Sequence, residues 1–330
     1  MGADVSIKNV VVTGSAGFIG SHLVENLVEQ GYAVKALVHY NSTGNIANLD
    51  YIDKSVLSEV EIAFGDVRDE YYCEKLTKGA DAIFHLAALI GIPYSYVAPA
   101  SYVQTNIIGT VNLLNACLRN NVARFLHTST SEVYGTALYT PIDEKHPLQG
   151  QSPYSASKIG ADKLVESYSR SFDLNATTIR PFNTFGPRQS LRAVIPTIVT
   201  QALKSNRINI GSTHPRRDLV FVRDTVNAYV KAAGRSDLKN ETINVGTGVS
   251  FSIVDMINTV SRILDKELVP VEEKERIRPE QSEVLNLVCD NAKAKSLLNW
   301  APAYSFEQGI GHVIEFFESG RTQDSHRYHV

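Results

Sequence analysis

Val10-Val11-Val12-Thr13-Gly14-Ser15-Ala16-Gly17-Phe18-Ile19-Gly20 is the stretch that decides the fold. The β-branched run Ile7 to Thr13 predicts a strand. Gly17 to Gln30, with Ile19, Leu23 and Leu27 on one stripe, predicts a helix. The glycines fall at the junction between the two, and that context says more than the glycines themselves. Gly14 permits a tight turn. Gly17 lets backbone approach a pyrophosphate at the helix N-terminus, where free amides and the helix dipole favour anions. Gly20 allows the helix to pack closely on the strand. With Ala16, Phe18 and Ile19, the loop reads as a dinucleotide site, although its Gly-x-x-Gly-x-x-Gly spacing is wider than the common fingerprint.

Outward from this loop the same texture repeats. Ala33 to Val38, Val60 to Phe64, Ala82 to His85, Phe125 to Thr128 and Ala176 to Arg180 read as further strands. Long helical patterns, Ser101 to Asn120 and the one from Tyr154 to about Phe172, separate the later ones. Alternation of this kind predicts an α/β fold, a Rossmann-type doubly wound parallel sheet. After Arg180 the elements shorten and prolines become frequent, which predicts a smaller C-terminal substrate-binding lobe. The expected division is residues 1–182 for the dinucleotide-binding domain and 183–330 mainly for the lobe. Val220 to Ala233 regains strand-then-helix character, so residues 219–245 are expected to rejoin the main sheet.

Composition narrows the function. With 330 residues, 43% hydrophobic and 20% charged, the chain has material for a large core. A formal charge of −3 gives no basic excess, so nucleic acid is not an expected partner. No apolar run approaches transmembrane length and the N-terminus lacks a signal profile, so a cytoplasmic protein with no membrane partner is expected. Gly2 and Ser6 fit a myristoylation pattern only loosely, without a polybasic stretch. Cys73, Cys117 and Cys289 are far apart and read as reduced thiols, and no metal site is expected, His326 and His329 of the polar tail included.

The second strand ends Leu37-Val38-His39-Tyr40-Asn41. An acid normally stands here to bind the adenosine ribose 2′-hydroxyl. Its absence leaves nothing to repel a 2′-phosphate, and His39 and Asn41 could hold one. NADP is therefore expected to be accepted at least as well as NAD, bound tightly and recycled. Asp66, followed by Val67 after the third strand, is placed to meet the adenine or to cap a turn.

Tyr154 and Lys158 lie four residues apart, on one face of a helix. A lysine ammonium beside a phenol favours phenolate, so Tyr154 is a candidate base for a substrate hydroxyl. The spacing alone also suits a half-buried Tyr with a snorkelling Lys. Upstream, Thr130-Ser131-Glu132 brings a second base, and with it the capacity for a second proton abstraction.

Taken together these segments resemble the extended short-chain dehydrogenase/reductase family of sugar-nucleotide epimerases and dehydratases. The resemblance spans nearly the whole chain: the glycine loop, Gly65-Asp66, His85-Leu86-Ala87-Ala88, Asn106-x-x-Gly109-Thr110, Thr130-Ser131-Glu132-x-Tyr134-Gly135, Tyr154-x-x-x-Lys158, Arg180-Pro181-Phe182-Asn183, Gly186-Pro187-Arg188, Arg217-Asp218 and Asn244-Val245-Gly246. Thr-Ser-Glu resembles GDP-mannose 4,6-dehydratases and also occurs in UDP-glucuronate decarboxylases. The wider match, through Ala87 to Ser95 and Asp143 to Leu148, most resembles bacterial dehydratases of the legionaminic-acid pathway, which implies a nucleotide-linked N-acetylglucosamine as substrate.

The resemblance implies these roles. Tyr154 is the base at sugar O4, with Lys158 its partner and nicotinamide-ribose ligand. Thr130 binds O4 and Glu132 takes the C5 proton. Ser131 stands where dTDP-glucose dehydratases carry an Asp acid, which leaves open the group that protonates the departing C6 hydroxyl. Leu86, Ala87, Ala88 and Asn106 line the cofactor. Ser95, Asn183, Arg188, Arg217 and Arg278 bind the nucleotide-sugar substrate. The implied reaction oxidises C4, eliminates water across C5–C6 and reduces C6. A homodimer through the Ser101 and Tyr154 helices is implied as well. The alternatives are a 4-epimerase, which needs no Glu132, a UDP-glucuronate decarboxylase, and a non-enzymatic dinucleotide sensor, which would need none of Thr130, Tyr154 and Lys158.

Overall fold

A computed structural model describes residues 7–273 and 286–320. Its main sheet has seven strands in the order β10-β6-β5-β4-β1-β2-β3. They are β1 (Asn9–Thr13), β2 (Ala33–His39), β3 (Val60–Gly65), β4 (Ala82–His85), β5 (Arg124–Thr128), β6 (Ala176–Pro181) and β10 (Thr242–Val245). All pairings are parallel. The central strands are buried along their length, as Ala82-Ile83-Phe84-His85 shows. Strands covered by helices on both faces carry such unbroken buried runs. From β1 the chain moves to β2 and β3 on one side, then crosses to β4 on the other. The order therefore reverses between β1 and β4, and the carboxyl ends of these two strands open the crevice typical of ligand sites.

Helix Phe18–Glu29 buries Leu23, Val24 and Leu27 against this sheet. Helix Pro153–Ser171 starts at a capping box in which Ser152 and Ser155 bond reciprocally, with Pro153 in the first turn. The long helix expected from Ser101 to Asn120 runs from Pro99 to Arg119 and holds a π-helical stretch, Val103–Ile108, within it. A π turn shifts the side-chain register within a helix and is common at functional sites. Here it contains Asn106.

The remaining strands are β7 (Asn183–Phe185), β8 (Arg207–Ile210), β9 (Arg216–Phe221), β11 (Ser250–Ser252), β12 (Val269–Glu272) and β13 (Asn286–Leu287). β9 pairs with β7, β11 and β13, and β8 with β12. Within the stretch 219–245 expected to rejoin the main sheet, β10 does so and the Val220 segment does not. Its strand, β9, belongs to the small sheet. Its helix, Val222–Ala233, packs on helix Phe18–Glu29 and on β5. The sheet position beside β6 is occupied by β10. One hydrophobic core runs through both halves, from Val10 and Leu23 to Phe221 and Trp300. Trp300 donates its indole N–H to the Asp224 carbonyl, fastening the last helices to Val222–Ala233. Among the described residues no helix is long and apolar enough to cross a membrane.

Candidate active site

The β1–helix turn is built as the glycines require. Gly14 has φ +68, and a Cβ there would lie 2.7 Å from the Ala87 amide nitrogen. That close approach joins the two sides of the crevice. The Thr13 hydroxyl accepts from the amides of Leu86 and Ala87, both at 3.1 Å. A Cβ on Gly20 would lie 2.2 Å from the Gly14 carbonyl oxygen, so Gly20 lets the helix start against the turn. Helix Phe18–Glu29 opens after Gly17 with no side chain capping its first amides. Phe18, Ile19 and the backbone of Ala16 and Gly17 thus present an uncapped helix N-terminus beside Leu86–Ala88. A dinucleotide pyrophosphate fits this place.

At the adenosine side the picture is more occupied. Asp66 follows β3 and accepts from the Arg68 backbone at 2.9 Å and from its guanidinium at 2.5 Å. The Arg68 hydrogen bond holds its carboxyl below the usual range. His39 Nε2 lies 3.3 Å from the same carboxylate. Asn41 is engaged within its own loop: its amide accepts from Thr43 Oγ1 and Asn45 N and donates to the His39 and Asn45 carbonyls. It builds the loop, because a short amide side chain closes such turns readily, and His39 is the more exposed group at the strand end. Val67 is buried in the core and its carbonyl accepts from Asn112.

Asn106 is buried and bonds the Leu89 peptide from both sides, at 2.8 and 3.0 Å, while donating to Ser157 at 2.9 Å. It clamps the segment after β4 to the Tyr154 helix, between the two residues Tyr154 and Lys158 of its inward face. The sequence marked Asn106 as a cofactor contact, and its amide here is engaged by protein. Ser95 is buried and its hydroxyl donates to Ile92 within its own turn.

At the reacting end Tyr154 and Lys158 are both buried. The Tyr154 phenol is hydrogen-bonded to Thr130, and the Glu132 carboxylate is close enough to act on it electrostatically. Thr130 caps the short turn Ser131–Tyr134, its hydroxyl accepting from the Glu132 amide at 3.2 Å. Ser131 is buried in that turn. The expectation that Lys158 lowers the phenol's pKa is corrected. Burial pushes the Tyr154 phenol well up, and Glu132 and Asp162 push it further. Burial also pulls the Lys158 ammonium down, to about 8. Desolvation disfavours both charged forms and outweighs their mutual help. Lys158 Nζ donates to the Thr128 carbonyl at 2.6 Å, and Tyr229 donates to the Thr128 hydroxyl at 2.8 Å.

The substrate candidates separate. Asn183, on β7, has a buried side-chain oxygen with no partner among the described residues, as a residue awaiting a ligand would. Arg217 is buried at the start of β9 and donates to the Arg216 carbonyl. Arg188 is engaged by protein. With φ +66 it pairs with Glu25 at 2.8 Å and reaches the Tyr51 carbonyl, tying the loop after β7 to helix Phe18–Glu29. The pairing with Glu25 holds this loop against the glycine helix. Arg278 lies outside the described residues, as do Gly2, Ser6, His326 and His329. The described residues contain no group of metal-ligating side chains.

Sequence reasoning gave no role to a buried polar group directly behind this site. Asp162 accepts from His127 at 3.0 Å, Ser129 at 2.6 Å and Arg180 at 2.8 Å. The available signal was its spacing, one helical turn beyond Lys158 on the same face.

The chain is similar to known proteins over nearly its whole length. The family model for GDP-mannose 4,6 dehydratase matches residues 11–313. The UDP-glucose 4-epimerase of Mycolicibacterium smegmatis is 33% identical over 94% of this chain and 98% of its own. The UDP-N-acetylglucosamine 4-epimerase of Methanobrevibacter ruminantium superposes with a TM-score of 0.85 at 30% identity, covering 95% of this chain and 99% of its own. The dTDP-glucose 4,6-dehydratase of Streptomyces venezuelae, solved with NAD bound, gives 0.84 at 28% identity, covering 95% and 98%. The chain belongs to the extended short-chain dehydrogenase/reductase family of NAD-dependent nucleotide-sugar dehydratases and epimerases.

Proposed function

We propose that this member of the family is a nucleotide-sugar 4,6-dehydratase acting on a UDP- or GDP-linked N-acetylglucosamine. The observation that carries the reading is the second base. Glu132 is fixed by the Thr130 cap within electrostatic reach of Tyr154. An epimerase needs one base at O4; an elimination needs another at C5.

The residues present fit NAD or NADP: the uncapped helix after Gly17 for the pyrophosphate, Asp66 and His39 for the adenosine, and Lys158 for the nicotinamide ribose. When bound, the nicotinamide ring supplies the hydride acceptor and donor. Tyr154 takes the O4 proton as phenolate, a form its burial disfavours and that the positive charge of an oxidised nicotinamide ring would favour once bound, with Thr130 orienting that hydroxyl. Glu132 takes the C5 proton once C4 is a ketone and C5–H is acidified. With Ser131 in place of an acid, Glu132 passes that proton to the departing C6 oxygen, so water leaves and the carboxylate is regenerated. Each such group contributes about 100- to 10,000-fold. Arg217 holds the diphosphate, the Asn183 side-chain oxygen accepts from a donor of the nucleotide or sugar, and Arg278 is assigned to the diphosphate by resemblance alone.

The test is a panel of UDP-, GDP- and dTDP-linked glucose and N-acetylglucosamine, followed by mass spectrometry. Loss of water from one of them is expected. A second reading, 4-epimerase, is favoured by Ser131 and would give a product of unchanged mass. The same proposal includes a cytoplasmic location and a homodimer through the helices around Val103 and Tyr154. Val97, Val103 and Ile108 are exposed on that side, and sedimentation at two protein concentrations reads the assembly directly.

A further inference from the structure

Tyr154, Lys158 and Asp162 recur every four residues along one helix face, and all three are buried. The first two face the reacting end. The third has no contact there. Its carboxylate instead binds three residues from two strands at once: His127 and Ser129 of the β5 end, and Arg180 of β6. Arg180 continues to the Tyr134 hydroxyl at 2.9 Å and lies over the Tyr134 ring at 5.0 Å. Tyr134 in turn donates to Asn244 of β10 at 2.7 Å. Ser129 immediately precedes Thr130, and Tyr134 ends the turn that carries Glu132. The network therefore grips the Thr130–Glu132 turn from both sides and anchors it to the helix that carries Tyr154.

We propose that Asp162 is the positioning residue that sets the distance between the Tyr154 helix and the Thr130–Glu132 turn. The proposal deepens the functional reading above and rests on Tyr154 and Glu132 being the two bases. A buried carboxylate with this many donors holds geometry well, because each donor left behind would be an unpaired buried polar group. Burial by itself would raise its carboxyl, yet the bonds from His127, Arg180 and Ser129 hold it well below the ordinary range. It is thus a permanent anion. His127, pulled down to about 4 mainly by burial, is a neutral donor to it. Misplacement of reacting groups by an ångström costs on the order of a hundredfold in rate. Loss of the anion should loosen the turn against the helix without touching the nucleotide side.

The experiment compares Asp162→Asn and Ser129→Ala with the parent, using whichever nucleotide sugar of the panel the parent turns over. Asp162→Asn keeps the size and removes the charge. It should lower kcat roughly ten- to a hundredfold, with KM within about twofold and bound dinucleotide content unchanged. Ser129→Ala removes one donor and should lower kcat a few-fold by the same split. Folded Asp162→Asn with parental kcat overturns the proposal, as does a loss confined to melting temperature. Should Asp162→Asn fail to fold, parental kcat in Ser129→Ala overturns it. Tyr154→Phe run alongside separates the two ideas: an active Tyr154→Phe, or a parent that turns over none of the panel, removes the functional reading and this inference together.

Discussion

Lys158 Nζ donates to the backbone carbonyl of Thr128 at 2.6 Å, so the cation of the active-site helix is held by the strand that leads into Thr130. This bond fixes the ammonium in a buried place where burial lowers its pKa from 10.5 to about 8. The sign of the pH dependence follows. Below about 8 both folded and unfolded chains hold the proton. Between about 8 and 10.5 the unfolded chain keeps a proton that the folded chain has released. Stability attributable to Lys158 therefore rises with pH across that window. Melting curves of the parent and Lys158→Met should show the parent gaining on the variant from pH 8 to pH 10. Parallel curves would show that Lys158 titrates normally.

Tyr154→Phe should leave the fold intact and reduce turnover at least about 100-fold, since the phenol is the base at O4. The hydrogen bond to Thr130 is lost, but the ring remains packed against Tyr102, with centroids 6.3 Å apart. Steady-state kinetics together with circular dichroism decide this. Turnover within a few-fold of the parent contradicts the assignment.

Glu132→Gln keeps size and hydrogen bonding while removing the second base. Oxidation at C4 should survive and elimination should stop. The stalled reaction should appear as a persistent reduced-nicotinamide absorbance after substrate is mixed with enzyme. Formation of the 6-deoxy product at the parental rate would make Glu132 a structural carboxylate.

The β2 end carries His39 rather than an acid, and His39 stands exposed beside Asp66. NADP should therefore be found in the purified protein at least as often as NAD. Denaturation and mass analysis of the released dinucleotide reads this out. NAD alone would show that Asp66, placed one strand over, substitutes for the missing acid.

The strands and the glycine turn were legible because their physics is local. A β-branched run, a positive-φ glycine and a helical stripe each announce themselves within a few residues. Pairing is not local, and β9 shows the cost: its buried run suits either sheet, and only the arrival of β10 beside β6 excludes it from the main one. The π turn at Val103–Ile108 left no mark on hydrophobic periodicity, because its apolar residues are exposed or half-buried and its buried residue, Asn106, is polar. The protein partners of Arg188 and Asn41 were illegible for a related reason. An arginine or asparagine in a motif says which atoms are available, not which neighbour reaches them first. The Tyr154–Lys158 pair was found by spacing, while the effect of burial on both groups could come only from the packing around them. Asp162 went unassigned because its partners, His127, Ser129 and Arg180, come from other strands.

Reaction in deuterium oxide tests the dehydratase assignment most directly. The nucleotide sugar that is turned over should give a product that has lost one water and carries one solvent deuterium at C5, delivered by Glu132 after the regenerated carboxylate has taken a deuteron from solvent. A product of unchanged mass with no deuterium, differing only in configuration at C4, would contradict the dehydratase and establish the epimerase.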